Sequence, residues 1–351
     1  MDKIFQEGTI PDGELNCYFA FVLSPFFFGN RTDVSMDEQT QGKKVKRAVA
    51  TGAGKGWRGF AWMMKIIVPV SLLTALLAWS GWMERIDFVI RPAMGVLSLP
   101  DIAALPLLIG ILTGIYGGIA AMAVLPLSTG EMTLIAVFLL IAHNLIQEGI
   151  IQGKSGMGIF KATLFRITLA AVTIMIIAPF VGAGKPPAVG TIARADISAG
   201  QTFTEMLIQW GVVMAGLAVQ IFFIILCVMV LLEILKVFGL IDHIVRFLSP
   251  FLQVMGLSKR VGIMWIAAII FGIAYGGAVI VEEAEKGDLT KEELESLQLS
   301  IGINHAMIED PALFLPFGIG LFWLWVPRLV MAMVAVRLLG VWRRFRRVKK
   351  Y

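Results

Sequence analysis

Leu139-Leu-Ile-Ala-His143-Asn144-Leu-Ile-Gln147-Glu148 returns, in altered form, as Leu299-Ser-Ile-Gly-Ile-Asn304-His305-Ala-Met-Ile-Glu309-Asp310. Each copy sets an imidazole, a carboxamide and a carboxylate in a largely apolar segment, where ionisable groups are costly and mark functional sites. A shift of 162 residues superposes His143 on His305, Gln147 on Glu309 and Glu148 on Asp310. Without a gap, the same shift carries Gly156 onto Gly318, Gly158 onto Gly320, Phe160 onto Phe322 and Arg166 onto Arg328. Upstream, Gly114-Ile-Tyr116-Gly117-Gly118 answers Gly272-Ile-Ala-Tyr275-Gly276-Gly277, with the shift changed to 159 at the tyrosine. The chain reads as a duplication.

Composition sets the class. Of 351 residues, 58% are apolar and only 16% charged, with a mean hydropathy of +0.82, far from the range of soluble domains. The sequence predicts an all-α polytopic membrane protein whose first partner is the lipid bilayer. Its net charge of +5 gathers near the ends and in loops, so it reports topology and contact with anionic headgroups, and nucleic acid is excluded as a partner. Cys17 and Cys227 lie far apart and suggest neither a disulfide framework nor a thiolate metal site.

Apolar runs fall at 60–83, 102–127, 132–151, 160–181, 207–236, 261–281, 297–316 and 317–340, four in each half. Amphipathic pieces at 84–99 and 239–256, carrying Pro92 and Pro250 at matching places, read as interfacial helices. The expected organisation is a polar leader over 1–56, a first repeat over 57–181, a linker over 182–206, a second repeat over 207–340 and a basic tail over 341–351. Within the leader, Met36 is a second candidate start. Lys43, Lys44, Lys46, Arg47, Lys55 and Arg58 before the first run, and Arg343, Arg344, Arg346, Arg347, Lys349 and Lys350 after the last, place both termini in the cytoplasm of a cell inner membrane.

Charge also bears on the relation of the halves. Were the Gly-rich runs 102–127 and 261–281 full crossings, Lys154, Lys161 and Arg166, with Lys236, Arg246, Lys259 and Arg260, would fall on the outer side. Bent into re-entrant hairpins at Tyr116-Gly117-Gly118 and Tyr275-Gly276-Gly277, they return these loops to the cytoplasm. The reading is therefore two inverted repeats, each with about three transmembrane helices, a re-entrant hairpin and an interfacial helix. Irregular backbone at membrane depth is tolerated where protein or a water-filled cavity covers it, as at transporter midplane sites. The alternative is that the glycines let tilted helices pack closely.

The paired Gly-Ile-(x)-Tyr-Gly-Gly runs, each followed by a broken apolar helix with Asn, His and a carboxylate, resemble the nucleoside recognition, or Gate, domain. That domain occurs with concentrative nucleoside transporters, ferrous iron transporter B and the spore maturation proteins A and B. The resemblance covers most of 60–340 and implies an inverted-repeat membrane protein with hairpins, without naming a substrate. The nucleotide loop of a fused GTPase has no counterpart here.

The candidate binding set is His143, Asn144, Gln147 and Glu148 with Asn304, His305, Glu309 and Asp310. On a helix, His305 and Glu309 would share a face, and Pro311 would favour a break just after Asp310; Gly149 can serve similarly in the first copy. The alternative is interhelical glue. Arg166 and Arg328, several residues inside apolar runs, should pair with a carboxylate or snorkel to the headgroups, Arg328 being the better candidate for a buried partner. Trp323 and Trp325 fit an interfacial belt, and the acidic stretch Glu282 to Glu295 a solvated helical hairpin. No nucleophile–base pair stands out, so neither enzymatic activity nor a cofactor is expected, and a metal ligand set is left open. The function expected is that of a membrane transporter or permease for a nucleoside-like solute, an organic anion or a metal. The alternative is an assembly or regulatory subunit of the spore-maturation type; homo-oligomerisation is left open.

Overall fold

The computed structural model describes residues 38–81, 91–154, 156–181, 201–285 and 289–348, and the regular structure there is helical. The chain divides into two compact units, 1–45 and 46–351. The first contains only the start of one described helix, and all other described structure lies in the second. The helices are α1 (Glu38–Trp79), α2 (Ala104–Thr113), α3 (Ile115–Ala123), α4 (Thr129–Ala142), α5 (Leu145–Lys154), α6 (Ile159–Val181), α7 (Phe203–Val237), α8 (Leu240–Met255), α9 (Gly262–Glu285), α10 (Lys291–Asn304), α11 (Glu309–Ala312) and α12 (Leu321–Val348).

Five segments among the described residues are long and apolar enough to cross a membrane: Gln41–Trp79, Thr129–Lys154, Ile159–Val181, Phe203–Val237 and Leu321–Arg346. Together they make the chain a multi-pass membrane protein. The run 297–316, expected as a further crossing, is no continuous helix but the half-length α10, the short α11 and a 3-10 turn at Leu315–Phe317. At 1.5 Å per residue, α1 spans about 63 Å, twice the hydrocarbon thickness. Its 42 residues therefore carry the basic segment before residue 56 as one continuous helix, so the expected boundary at 56 falls inside an element. The leader before residue 38 and most of the linker, 182–200, lie outside the described residues, as does 82–90 of the first interfacial piece. The second is α8, bounded by Gly239 and Gly256, both left-handed.

Burial separates the helices into two kinds. Of the apolar window in 129–154, 72% is buried, against 17% for 203–237. Hence α4 is central while α7 presents Val212, Val219 and Phe223 outward, as lipid contact requires. In α10, every residue from Leu297 to Asn304 is buried. Both central helices begin with a reciprocal cap: Ser128 accepts from Glu131 N while the Glu131 carboxylate accepts from Ser128 N, and Thr290 with Glu293 repeats it. These caps are themselves 162 residues apart.

Backbone geometry carries the duplication further. The described residues with positive φ are Gly81, Ser98, Gly114, Asn144, Gly156, Gly239, Gly256, Gly272, Ala306 and Gly318. They fall into five pairs, the first three (81/239, 98/256, 114/272) at a shift of 158 and the last two (144/306, 156/318) at 162. The corresponding first helices, α1 and α7, pack antiparallel. Lys55 Nζ lies 2.6 Å from Glu233 Oε2, Trp210 Nε1 donates to Ser71 Oγ at 3.1 Å, and Trp79 Nε1 donates to Gln201 O at 2.8 Å. Gly52 and Gly56 permit this approach, since a Cβ at Gly52 would sit 2.6 Å from Val230 Cα.

Candidate functional site

The site begins with two bends. Gly114 (φ 101°, ψ 177°) joins α2 to α3 in a conformation that glycine adopts without steric cost. The chain then folds back on itself: a Cβ at Gly118 would collide with Leu139 and lie 3.3 Å from Pro106 O. In the second half Gly272 (φ 84°, ψ 172°) interrupts α9 in the same way. The bends thus precede the expected turn residues, correcting that assignment. Tyr116, Gly117 and Gly118 lie in the first turn of α3, and Tyr275, Gly276 and Gly277 continue α9 beyond its bend. One glycine suffices for each reversal, and Gly117 and Gly118 serve close packing against Thr113, Ile109 and Leu139 instead.

Each bend is stitched to a broken helix. α4 ends at His143, extended, and Asn144 then takes φ 47°; α10 ends at His305, extended, and Ala306 takes φ 45°. For alanine this left-handed conformation costs about 1–2 kcal/mol, which surrounding contacts must offset. They do so identically: Asn144 N donates to Gly110 O and Ala306 N to Ala268 O, each at 3.0 Å, with Met307 N donating to Ile269 O at 2.7 Å. These breaks come before the position expected from Pro311. His305 and Glu309 therefore do not share a helical face, and the carboxylate brought to each histidine's cluster is five residues on.

The two helix ends meet. His143 Nδ1 lies 2.7 Å from Leu139 O and His305 Nδ1 2.9 Å from Ile301 O. A carbonyl only accepts, so each Nδ1 carries a proton, and each Nε2, the other ring nitrogen, turns outward. Those two Nε2 atoms face each other at 3.5 Å. Glu148 Oε1 lies 3.2 Å from the first and 3.4 Å from the second, and Asp310 Oδ2 lies 3.8 Å from His143 Nε2. All four side chains are buried.

The arginines hold the helix ends rather than the headgroups. Arg166 donates from Nε to Ile141 O at 2.8 Å and from Nη2 to His143 O at 3.1 Å. Arg328 repeats this with Ile303 O at 3.0 Å and His305 O at 2.8 Å. Each guanidinium thus sits on the carbonyls that a helix C-terminus leaves open, where its charge opposes the helix dipole. Arg166 also forms an ion pair, Nη1 to Glu148 Oε2 at 2.6 Å. Its counterpart differs: Asp310 is one methylene shorter than Glu148, and Arg328 Nη1 has no hydrogen-bond partner among the described residues. Of the two readings open for Arg166, pairing with a carboxylate is the one observed, whereas Arg328, the better candidate for a buried carboxylate partner, has none within ion-pair distance among the described residues.

Of the expected site residues, the structure gathers His143, Glu148, His305, Asp310, Arg166 and Arg328. Asn144 and Gln147 instead bond each other at 2.9 Å, with Gln147 exposed. Glu309 is half-buried, with Tyr116 Oη at 3.5 Å. Asn304 is fully buried, and its amide finds no partner among the described residues. Sequence reasoning missed the bond from Gln152 Nε2 to Gln298 O at 3.0 Å, which joins α5 to α10. A cavity of about 400 Å³ opens elsewhere, by Ser98, Glu131 and Pro179, and no member of the histidine cluster lines it.

Among known proteins, the chain is 30% identical over 304 residues to YvoD of Bacillus subtilis (strain 168), described as an uncharacterized membrane protein; the match spans 86% of this chain and 97% of that one. No family model and no solved structure matches.

Proposed function

We propose that this chain, which belongs to the family of the Bacillus subtilis membrane protein YvoD, is a transporter or permease that binds a small solute or ion between two inverted halves. The observation that carries this reading is the convergence of two broken, buried helices, α4 and α10, at His143 and His305. Each helix has 14 residues, about 21 Å at 1.5 Å per residue, so tips that meet inside the protein fall near the middle of a 30 Å bilayer. Broken helices meeting at that depth are the construction by which transporters hold solutes and coupling ions.

Inversion of the halves is supported by the antiparallel course of α1 and α7 and by the meeting of equivalent C-terminal ends. It is supported again at one end of the bundle, where Glu295 lies 3.0 Å from Lys161 Nζ and 2.7 Å from Arg343 Nη2. The starts of α6 and α10 thereby share an end with the close of α12, as the hairpin topology requires and eight full crossings do not. By the charge rule that end is cytoplasmic. The Gate-domain resemblance agrees with this architecture, and an inner-membrane location with the charge pattern.

With donor atoms 3.2–3.5 Å apart, the cluster as it stands has room for an ion and none for a nucleoside. The assembly-subunit reading is favoured by a different observation, the saturation of Arg166 by two carbonyls and Glu148. The test is reconstitution into liposomes, with flux of protons, divalent metals, organic anions and nucleosides followed in turn. Transport by wild type and its loss in folded Glu148→Gln is the expected result. If no solute moves and none stabilises the protein, the assembly reading replaces this one.

A further inference from the structure

The geometry points to a divalent transition-metal site formed by His143, His305, Glu148 and Asp310, of the borderline class that zinc represents; the inference rests on the ion-permease reading of the same cluster. Three acceptor atoms, His143 Nε2, His305 Nε2 and Glu148 Oε1, face one another with edges of 3.5, 3.2 and 3.4 Å. Each Nδ1 is committed to a backbone carbonyl, which leaves Nε2 as the ring nitrogen that can ligate an ion. A tetrahedral centre with bonds of 2.0–2.1 Å to imidazole nitrogen and carboxylate oxygen has edges of about 3.3–3.4 Å, which is the size of this triangle. The ligand atoms of Asp310, His143 and His305 lie within 4.8 Å of one another, so Asp310 stands ready as the fourth donor.

Three further features match a metal. The donor set is duplicated, with one histidine and the carboxylate five residues on from each half. Each imidazole is oriented through Nδ1 by a carbonyl, and Glu148 is held by Arg166, the outer contacts that fix metal ligands. Charge is also largely provided for: the two carboxylates and two helix C-termini at about half a negative charge each offset three of the four positive charges of two guanidiniums and one divalent ion. Two imidazoles select against magnesium and calcium, which take oxygen ligands.

The test uses full-length protein in detergent, stripped with chelator and titrated with Co²⁺, then with Zn²⁺. One Co²⁺ per chain, with the intense visible bands of a four-coordinate ion and displacement by Zn²⁺, is the result expected. His305→Gln and Glu148→Gln, each checked for monodispersity, should weaken binding at least tenfold, whereas His243→Gln, the exposed third histidine on α8, should leave it unchanged. Should either cluster variant not fold, His143→Gln and Asp310→Asn serve the same comparison. No Co²⁺ bound, binding lost on removing His243, or binding indifferent to the cluster overturns the site. Metal bound without flux in liposomes would retain the site and overturn the permease reading. Flux of another solute without bound metal would do the reverse.

Discussion

Replacing Arg166 by glutamine should destabilise the protein more than the equivalent change at Arg328. Arg166 makes two charge-assisted bonds to carbonyls and a buried ion pair, Nη1 to Glu148 Oε2 at 2.6 Å, both side chains being under one-tenth exposed. Removing one partner of such a pair costs about 3–5 kcal/mol, because the other charge is left buried. Arg328 makes the same carbonyl bonds without a carboxylate within ion-pair distance. Its loss should cost about 2–3 kcal/mol, the scale of charged hydrogen bonds only partly replaced by glutamine. The second carboxylate change separates the two further. Glu148→Gln added to Arg166→Gln should restore about 1–3 kcal/mol, whereas Asp310→Asn added to Arg328→Gln should restore under about 1 kcal/mol. Reversible unfolding in mixed micelles, read by tryptophan fluorescence, gives both cycles. Equal losses at the two arginines with equal coupling would refute the asymmetry argued from the shorter aspartate.

Gly52→Leu should separate α1 from α7, since even a Cβ there meets Val230 backbone at 2.6 Å; the measurement is a lower unfolding midpoint than in Gly42→Leu, where nothing lies within 4 Å. Thr290→Ala and Ser128→Ala each remove a reciprocal cap and should each cost about 1 kcal/mol, with near-additivity in the double variant if the two helix starts are independent. In a background without native cysteines, a cysteine at Lys161 should resist impermeant reagent applied outside intact cells and react in inverted vesicles; external labelling would reverse the proposed orientation.

Much of the architecture was readable because duplication leaves a constant shift. His143 and His305, Glu148 and Asp310, and Arg166 and Arg328 are paired in the sequence and meet around one point in the fold. The caps Ser128-x-x-Glu131 and Thr290-x-x-Glu293 recur at the same shift, a helix-start signal that the sequence reading passed over. What the sequence hid is set by tertiary contact. Nothing local marks Ala306 as left-handed; the bond from its N–H to Ala268 O and the closure over Gly272 hold it there. Once the helix breaks at His305, spacing four loses its meaning, and Glu309 parts from the histidine while Asp310 approaches the cluster. The bends at Gly114 and Gly272 were displaced in the reading because three glycines serve two purposes, reversal and close packing, that composition does not distinguish. The arginines' carbonyl partners were hidden because an open helix end exists only after the helix has been broken.

The meeting of His143 with His305 inside one chain is the central claim, and thiol bridging tests it most directly. In a protein whose only cysteines replace these two histidines, one Hg²⁺ per chain should protect both thiols at once, with the product running as a monomer in denaturing electrophoresis. Two thiols that react independently, or mercury bridges that link two chains, would contradict it.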